Sequence, residues 1–262
     1  MTAGHSASGA PLVRVAAWDA IPGLAHGFLG RRGGVSDGPL ASLNVSTRVD
    51  DQPERVAANW QRVGQALPGL TFVRMQQVHG TRVVRVAAAD DPVGEADALI
   101  TNQPGLGLSV LTADCVPLLG VASNHGAVMA VHAGWRGSLA GIAIEALRAA
   151  KDAFGIEPAA WQVALGPSIG GCCYEVEAEI GQQFVDRWGA MADAWQPAGS
   201  HGQLDLRRVN AALLGRAGVP AGQIHTAGPC TVCAGGEFFS HRGSGGRAGR
   251  QVSAIGYLRS AH

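Results

Sequence analysis

The chain has 262 residues, nearly half of them hydrophobic, with 20 acidic and 20 basic side chains and no net charge. That length fits one large domain or two small ones. Balanced charge leaves no electrostatic footprint for nucleic acid or an anionic membrane, and no apolar run is long enough to span a bilayer, so neither partner is expected.

Residues 1–10 lack the basic and apolar segments of a signal peptide and read as a flexible tail, with residues 11–262 forming one domain and the cytoplasm as its expected location. "LAHGFLG" (24–30) reads as a short strand, and the Gly- and Ser-rich segment 31–46 as a loop. A helix follows, with Asp51 as its cap, Pro53 in its first turn, and Val56, Trp60, Val63 and Leu67 at helical spacing. "LTFVRMQQV" and "TRVVRVAA" read as two strands joined at His79-Gly80, and "ADALIT" as another. "GLGLSVL" is interrupted by the polar "TAD" before "CVPLLGVAS", and "AVMAVH" returns after the turn signal Asn124-His125-Gly126.

After "AGWRGS" the period changes. Leu139, Ile142, Ala143, Ala146, Leu147 and Ala150 lie on one helical face, with Ser138 as the expected N-cap. "WQVALGP" is a further strand. "YEVEAEIGQQFVDRW" reads as helical through Val176, Ile180, Phe184 and Trp188. Asp205 is positioned to cap a helix carrying Leu206, Val209 and Leu213, which Gly218 would end. "QIHTAG" and "QVSAIGYL" close the chain as strands. The mixture predicts α+β or a mixed-sheet α/β domain rather than a doubly wound parallel fold.

A two-residue loop at Asn124-His125 sets the register of the central hairpin. Ala122 then faces Ala127, and Pro117 faces His132. Cys115 shares the face of Pro117 and becomes a diagonal neighbour of His132, roughly 7 Å away. An odd loop would turn Cys115 to the other face. A thiolate and an imidazole at one end of a hairpin suit zinc, and also copper. His79, at a strand–turn junction, is the best third ligand, although spacing alone does not bring it there. The plainer alternative is a small buried thiol and two hydrogen-bonded histidines.

Gly134, Gly137 and Ser138 open a helix whose free N–H groups, with Arg136, could receive phosphate. Alternatively Arg136 pairs with a surface carboxylate. Asp114, beside Cys115, could carry a proton or brace a turn. Arg32 and Arg136 are the phosphate candidates, and Asn44 could hold a substrate hydroxyl. His241 and Arg242 could line the pocket, each with loop bracing as its alternative. The five cysteines make a poor disulfide framework, which suggests a reducing compartment. "CTVC" (Cys230, Cys233) is a lone pair of thiols that reads as two buried cysteines, with metal binding or a redox pair as alternatives.

"QVHG", "ADALIT", "TADCVPLL", "HAGWRG", "GPSIGGCCYEV" and "FFSHR…GR" occur in that order. Together they resemble, over residues 24–258, the YfiH-like laccase-domain family, once described as polyphenol oxidases and now as purine nucleoside phosphorylases with adenosine deaminase activity. The resemblance implies an α/β fold, a mixed-sheet α-β-β-α sandwich. It also implies a zinc site of His79, Cys115 and His132, with copper as an alternative. Its expected substrates are purine nucleosides (adenosine, inosine, guanosine and methylthioadenosine) and phosphate. It gives Cys172 and Cys173 no ligand role.

Three other readings stay open. Cys115 could act as the nucleophile of a thiol hydrolase or deamidase with His132 as base. A copper-dependent polyphenol oxidase would need closely spaced histidine pairs, yet no two of the nine histidines are separated by a single residue. A non-enzymatic small-molecule or partner-binding module could present a similar pocket. The sequence carries no signature of oligomeric state.

Overall fold

Every side chain of the strands Val116–Ala122 and Ala127–Ala133 is buried, which requires apolar cover on both faces. In the computed structural model, which describes residues 3–5, 11–189 and 193–259, the alternation along these strands assigns their side chains to two layers. Leu119, Val121, Val128 and Ala130 pack against Phe28, Leu108, Val110 and Ile255 of a second sheet. Leu118, Met129 and Val131 instead face Ala146, Leu147, Phe184 and Leu213 on helices. The outer face of the second sheet is covered in turn, where Leu29, Val252 and Ala254 meet Val63 and Leu67. The order is therefore helix, sheet, sheet, helices, the expected α-β-β-α layering.

Both large sheets are mixed. One runs Ala3–His5, Pro11–Val13, Leu24–Leu29, Gln251–Tyr257, Leu106–Thr112 and Thr71–Val73, antiparallel until the last pair, which is parallel. The other runs Ile224–Thr226, Gln162–Leu165, Val116–Ala122, Ala127–Ala133, Ala98–Thr101 and Val83–Arg85, antiparallel inside and parallel at both edges. A small antiparallel sheet, Glu175–Glu177, His201–Leu204 and Trp195–Ala198, lies apart. Among the described residues no helix is long and apolar enough to cross a membrane. Of the tail expected over residues 1–10, Ala3–His5 pair with Pro11–Val13; the remainder lies outside the described residues.

Several local expectations change. The helix Pro53–Ala66 starts from Gln52 rather than Asp51, because the Asp51 carboxylate accepts hydrogen bonds from Ser36 and Asn44 across the preceding loop. Ser138 is not an N-cap. Gly141, at φ 88°, breaks the expected helix into Trp135–Ala140 and Ile142–Phe154, and the Ser138 hydroxyl accepts a hydrogen bond from Asn210. Val176 lies in a strand, and the helix beyond it spans Ala178–Trp188. Asp205 does cap Leu206–Arg216, its carboxylate accepting from the N–H groups of Arg207 and Arg208.

Two connections place the site. The chain leaves the first sheet at Val73 and enters the second at Val83, so the strands flanking His79-Gly80 belong to different sheets. It crosses again between Thr112 and Val116 through Ala113, Asp114 and Cys115.

A candidate metal centre where the chain crosses between sheets

The hairpin has the anticipated register: Ala122 pairs with Ala127, and Pro117 with His132. His132 shares its face with Val128 and Ala130, so its ring enters the layer between the sheets. Cys115 reaches the same end from the second crossing, and His79 from the first. One donor atom from each of the three lies within 4.8 Å of the others, and the Cys115 sulfur is 3.9 Å from His79 Nε2. Tetrahedral ligands at zinc bond lengths stand about 3.3–3.8 Å apart, so small side-chain movements close the set round one ion. Two imidazoles and a thiolate are donors of the right softness for zinc or copper, and His79 is exposed, which leaves an open side.

Asp97, which is fully buried, organises this end of the molecule. One carboxylate oxygen accepts from His132 Nδ1 at 2.8 Å and from the His79 N–H at 2.9 Å. The other accepts from the N–H groups of Gly80 at 2.7 Å and Val78 at 3.2 Å. Three successive N–H groups closing on one anion form a nest. It compensates the left-handed backbone of His79 (φ 63°), which is costly for a non-glycine residue. With Nδ1 held by Asp97, His132 Nε2 is the nitrogen left to face Cys115 and the cavity. Burial alone would raise the Asp97 pKa, but the hydrogen bonds from His132 and the N–H groups, with the neighbouring imidazolium charge, carry it below the ordinary carboxylate value.

In the metal-free protein the donors polarise one another. Burial opposes ionisation of Cys115, yet the charge and hydrogen bonds of His132, then of His79, bring its pKa down to about 6. Burial likewise opposes a charged His132, but the Cys115 thiolate and the Asp97 hydrogen bond raise it to about 9. Each charge of the pair thus favours the other.

"HAGWRG" now has a local explanation. A Cβ on Gly134 would stand 2.7 Å from the His79 ring and 3.2 Å from the Cys115 sulfur, so only glycine leaves both donors room. A Cβ on Gly137 would press on the Gly80 carbonyl oxygen at 3.0 Å. Trp135 packs on the helical core, and the exposed Arg136 guanidinium lies 4.3 Å from its ring centre.

The donors open into a cavity of about 770 Å³, within the range of small-molecule sites. Besides them, its walls carry Asp114, Tyr174, His241, Arg48, Arg242 and Arg250. Asp114 (φ 89°) accepts from Thr231 Oγ1 at 2.6 Å and from the Arg242 N–H at 2.7 Å, one bond on each carboxylate oxygen. Burial, aided by the nearby Cys115 thiolate, pushes the Tyr174 phenol up to about 12, so it stands as a hydrogen-bond donor. Arg242 lies over the Tyr174 ring and donates to the Glu175 carbonyl.

Arg32, Asn44 and Arg136 are not among the residues lining this cavity. Arg32 is exposed. Asn44 is fully buried; its amide donates to Ser46 O and Asp51 Oδ2 and accepts from the N–H groups of Ser46 and Arg250. Asp97, Tyr174, Arg48 and Arg250 are the site residues that the sequence reading passed over. For Asp97 a signal existed: a carboxylate heading an apolar strand must be paired if buried.

A carboxylate-oriented imidazole, a second imidazole and a thiol, set at one end of a mixed-sheet sandwich, define the class: a mixed-sheet α/β protein with a candidate metal centre. The chain belongs to the laccase-like family whose model, described as multi-copper polyphenol oxidoreductase laccase, matches residues 25–258. It is 38% identical over 258 residues to the purine nucleoside phosphorylase of Deinococcus radiodurans, covering 97% of this chain and 96% of that protein. It is 35% identical to purine nucleoside phosphorylase YlmD of Geobacillus stearothermophilus, covering 89% and 90%. The Bacillus licheniformis hypothetical protein YfiH superposes with a TM-score of 0.87 at 31% identity, covering 98% of this chain and 97% of that one. The crystal structure of Geobacillus YlmD superposes at 0.86 and 34% identity, covering 91% and 93%.

Proposed function

We propose that the chain is a metal-dependent purine nucleoside phosphorylase, with adenosine, inosine, guanosine and methylthioadenosine as substrates and hydrolytic deamination of adenosine as a second activity. The observation that carries this reading is the joining of His79, Cys115 and His132 to a cavity bearing three arginines and a phenol. A zinc or copper ion held by those three donors would supply Lewis-acid polarisation or a water of lowered pKa.

In phosphorolysis a phosphate oxygen forms a bond to the ribose anomeric carbon. The glycosidic bond breaks, and the purine leaves with the bonding electrons and takes up a proton. Arg242 and Arg250, supported by Arg48, hold the phosphate dianion; they take the place that the sequence reading gave to Arg32 and Arg136. Tyr174 O–H donates to the departing base or a ribose hydroxyl. Asp114, its carboxylate oxygens engaged by Thr231 and Arg242, acts as a brace that positions the Arg242 backbone rather than as a proton carrier. The unpaired cysteines fit a cytoplasmic location.

The test is a screen of nucleosides with and without phosphate, read by chromatography. Free base and ribose 1-phosphate in equal amounts, formed only with phosphate, support phosphorolysis. Inosine formed from adenosine supports deamination. Unchanged nucleosides in the presence of zinc and phosphate contradict both.

A second reading rests on the approach of the Cys115 sulfur to the His132 and His79 rings, the pairing of a thiol hydrolase or deamidase. Activity that survives metal removal and is abolished by alkylation of Cys115 would favour it. The copper oxidase reading has less support: among the described residues, one group of three or more donors contains histidine.

A further inference from the structure

Four of the five cysteines stand away from this centre and converge. Cys172 and Cys173, in the loop after Gly171, meet Cys230 and Cys233, nearly sixty residues later, with one sulfur from each within 4.8 Å of all the others. The Cys233 sulfur is 3.4 Å from that of Cys173 and 3.6 Å from that of Cys172. Four thiolates round one zinc ion, with Zn–S near 2.3 Å, have sulfurs about 3.8 Å apart. The two closest spacings are slightly shorter than that, and all four sulfurs lie within 4.8 Å, so small side-chain movements would set them round one ion. An iron–sulfur cluster would need a wider cage.

The backbone is arranged for the same purpose. Cys230-Thr231-Val232-Cys233 folds as a turn in which N–H groups aim at the first sulfur. Gly170 N–H donates to Cys230 Sγ at 3.3 Å, and the N–H groups of Val232 and Cys233 also face it. Such donors share the charge of a metal-bound thiolate. The Arg207 side chain reaches Gly170 and donates to the Gly228 carbonyl, which places a cation beside the cluster. Cys230 is buried while Cys172 and Cys233 are exposed, so an ion has access from solvent. The expectation of two buried thiols in "CTVC" is thereby revised.

We propose that Cys172, Cys173, Cys230 and Cys233 form a second, tetrathiolate site that binds one zinc ion and clasps these two loops together. The consequence reaches the cavity. One loop continues into Tyr174, and the other carries Thr231, which holds Asp114. The ion thus ties the wall that supplies the phenol to the turn that fixes the second crossing. The proposal does not depend on what reaction the cavity performs.

The experiment uses Cys115→Ser protein, reduced, stripped of metal and titrated with Co²⁺. One equivalent should produce the intense visible and near-ultraviolet absorption of tetrahedral tetrathiolate cobalt, and one equivalent of Zn²⁺ should bleach it. With zinc bound, the four remaining thiols should resist a thiol reagent until chelator is added. Cys172→Ser, a change on an exposed side chain, should lose the tetrathiolate spectrum while remaining folded by circular dichroism. If Cys115→Ser does not fold, the parent protein should bind one more zinc equivalent than its Cys172→Ser variant. Absence of the thiolate band, free reaction of all four thiols with zinc present, or a mass deficit showing disulfides in protein purified under reducing conditions overturns the proposal.

Discussion

Replacing Asp97 by Asn tests how the candidate metal centre is held. The carboxylate accepts four hydrogen bonds, two on each oxygen. An amide offers one acceptor atom and turns a donor toward the other pair. If the amide NH₂ faces Val78 and Gly80, two N–H groups lose their partner, at about 1–3 kcal/mol each. If it faces His132 instead, Nδ1 must accept, the proton moves to Nε2, and the nitrogen on the cavity side can no longer bind a metal. The first orientation costs about 2–6 kcal/mol of stability and the second, which strands only the His79 N–H, about 1–3 kcal/mol, each kcal/mol lowering the melting temperature by roughly 2–4 °C in a chain of this size. Zinc affinity should fall about 10–100-fold. The assay is competition with a chromophoric chelator, counting the zinc that Cys115→Ser removes, beside thermal unfolding of the metal-free protein. Unchanged zinc affinity in a folded Asp97→Asn variant would refute the claim that this carboxylate sets the imidazole.

Further expectations follow from the same contacts. Gly134→Ala places a methyl 2.7 Å from the His79 ring, so zinc affinity should drop at least tenfold while the fold survives; parent-like affinity would show that the ring has room to retreat. Arg250→Gln should raise KM for phosphate about tenfold or more with little change in KM for nucleoside, as steady-state kinetics would show, and equal effects on both would place the phosphate elsewhere. His26 gives a pH signature remote from the site. It is buried, accepts the Val15 N–H on Nε2, and burial lowers its pKa to about 4. The unfolded chain therefore takes up this proton near pH 6.5 and the folded one only near 4. Its stabilising contribution is full above pH 6.5 and is lost as pH falls toward 4, in total about 3 kcal/mol. Urea titrations of the parent and His26→Gln should differ in pH slope across that window, and identical slopes would contradict the assignment.

The sequence made some of this legible because local rules decided it. Alternation and an even loop set the hairpin, so Pro117 opposite His132 and the approach of Cys115 could be read directly. His79 could not, because its position depends on a crossing between two sheets and on a nest closing over Asp97. Arg32 and Arg136 looked suitable by chemistry alone, but side-chain direction from a loop follows from packing; Arg250, from a distant segment, reaches the cavity instead. The small sheet escaped notice since Trp195–Ala198 and His201–Leu204 are short and carry no β-branched residue. Cys172 and Cys173 lacked meaning until the bridge between Ser168 and Cys230 brought the "CTVC" turn beside them.

The central claim is that His79, Cys115 and His132 hold the ion on which nucleoside cleavage depends. It is tested most directly by returning zinc stepwise to metal-free protein in the presence of inosine and phosphate, and quantifying both products. The account predicts hypoxanthine and ribose 1-phosphate in equal amounts, rising with zinc to a plateau in the parent and absent in Cys115→Ser. Full activity in protein free of metal, or an undiminished rate in Cys115→Ser, would contradict it.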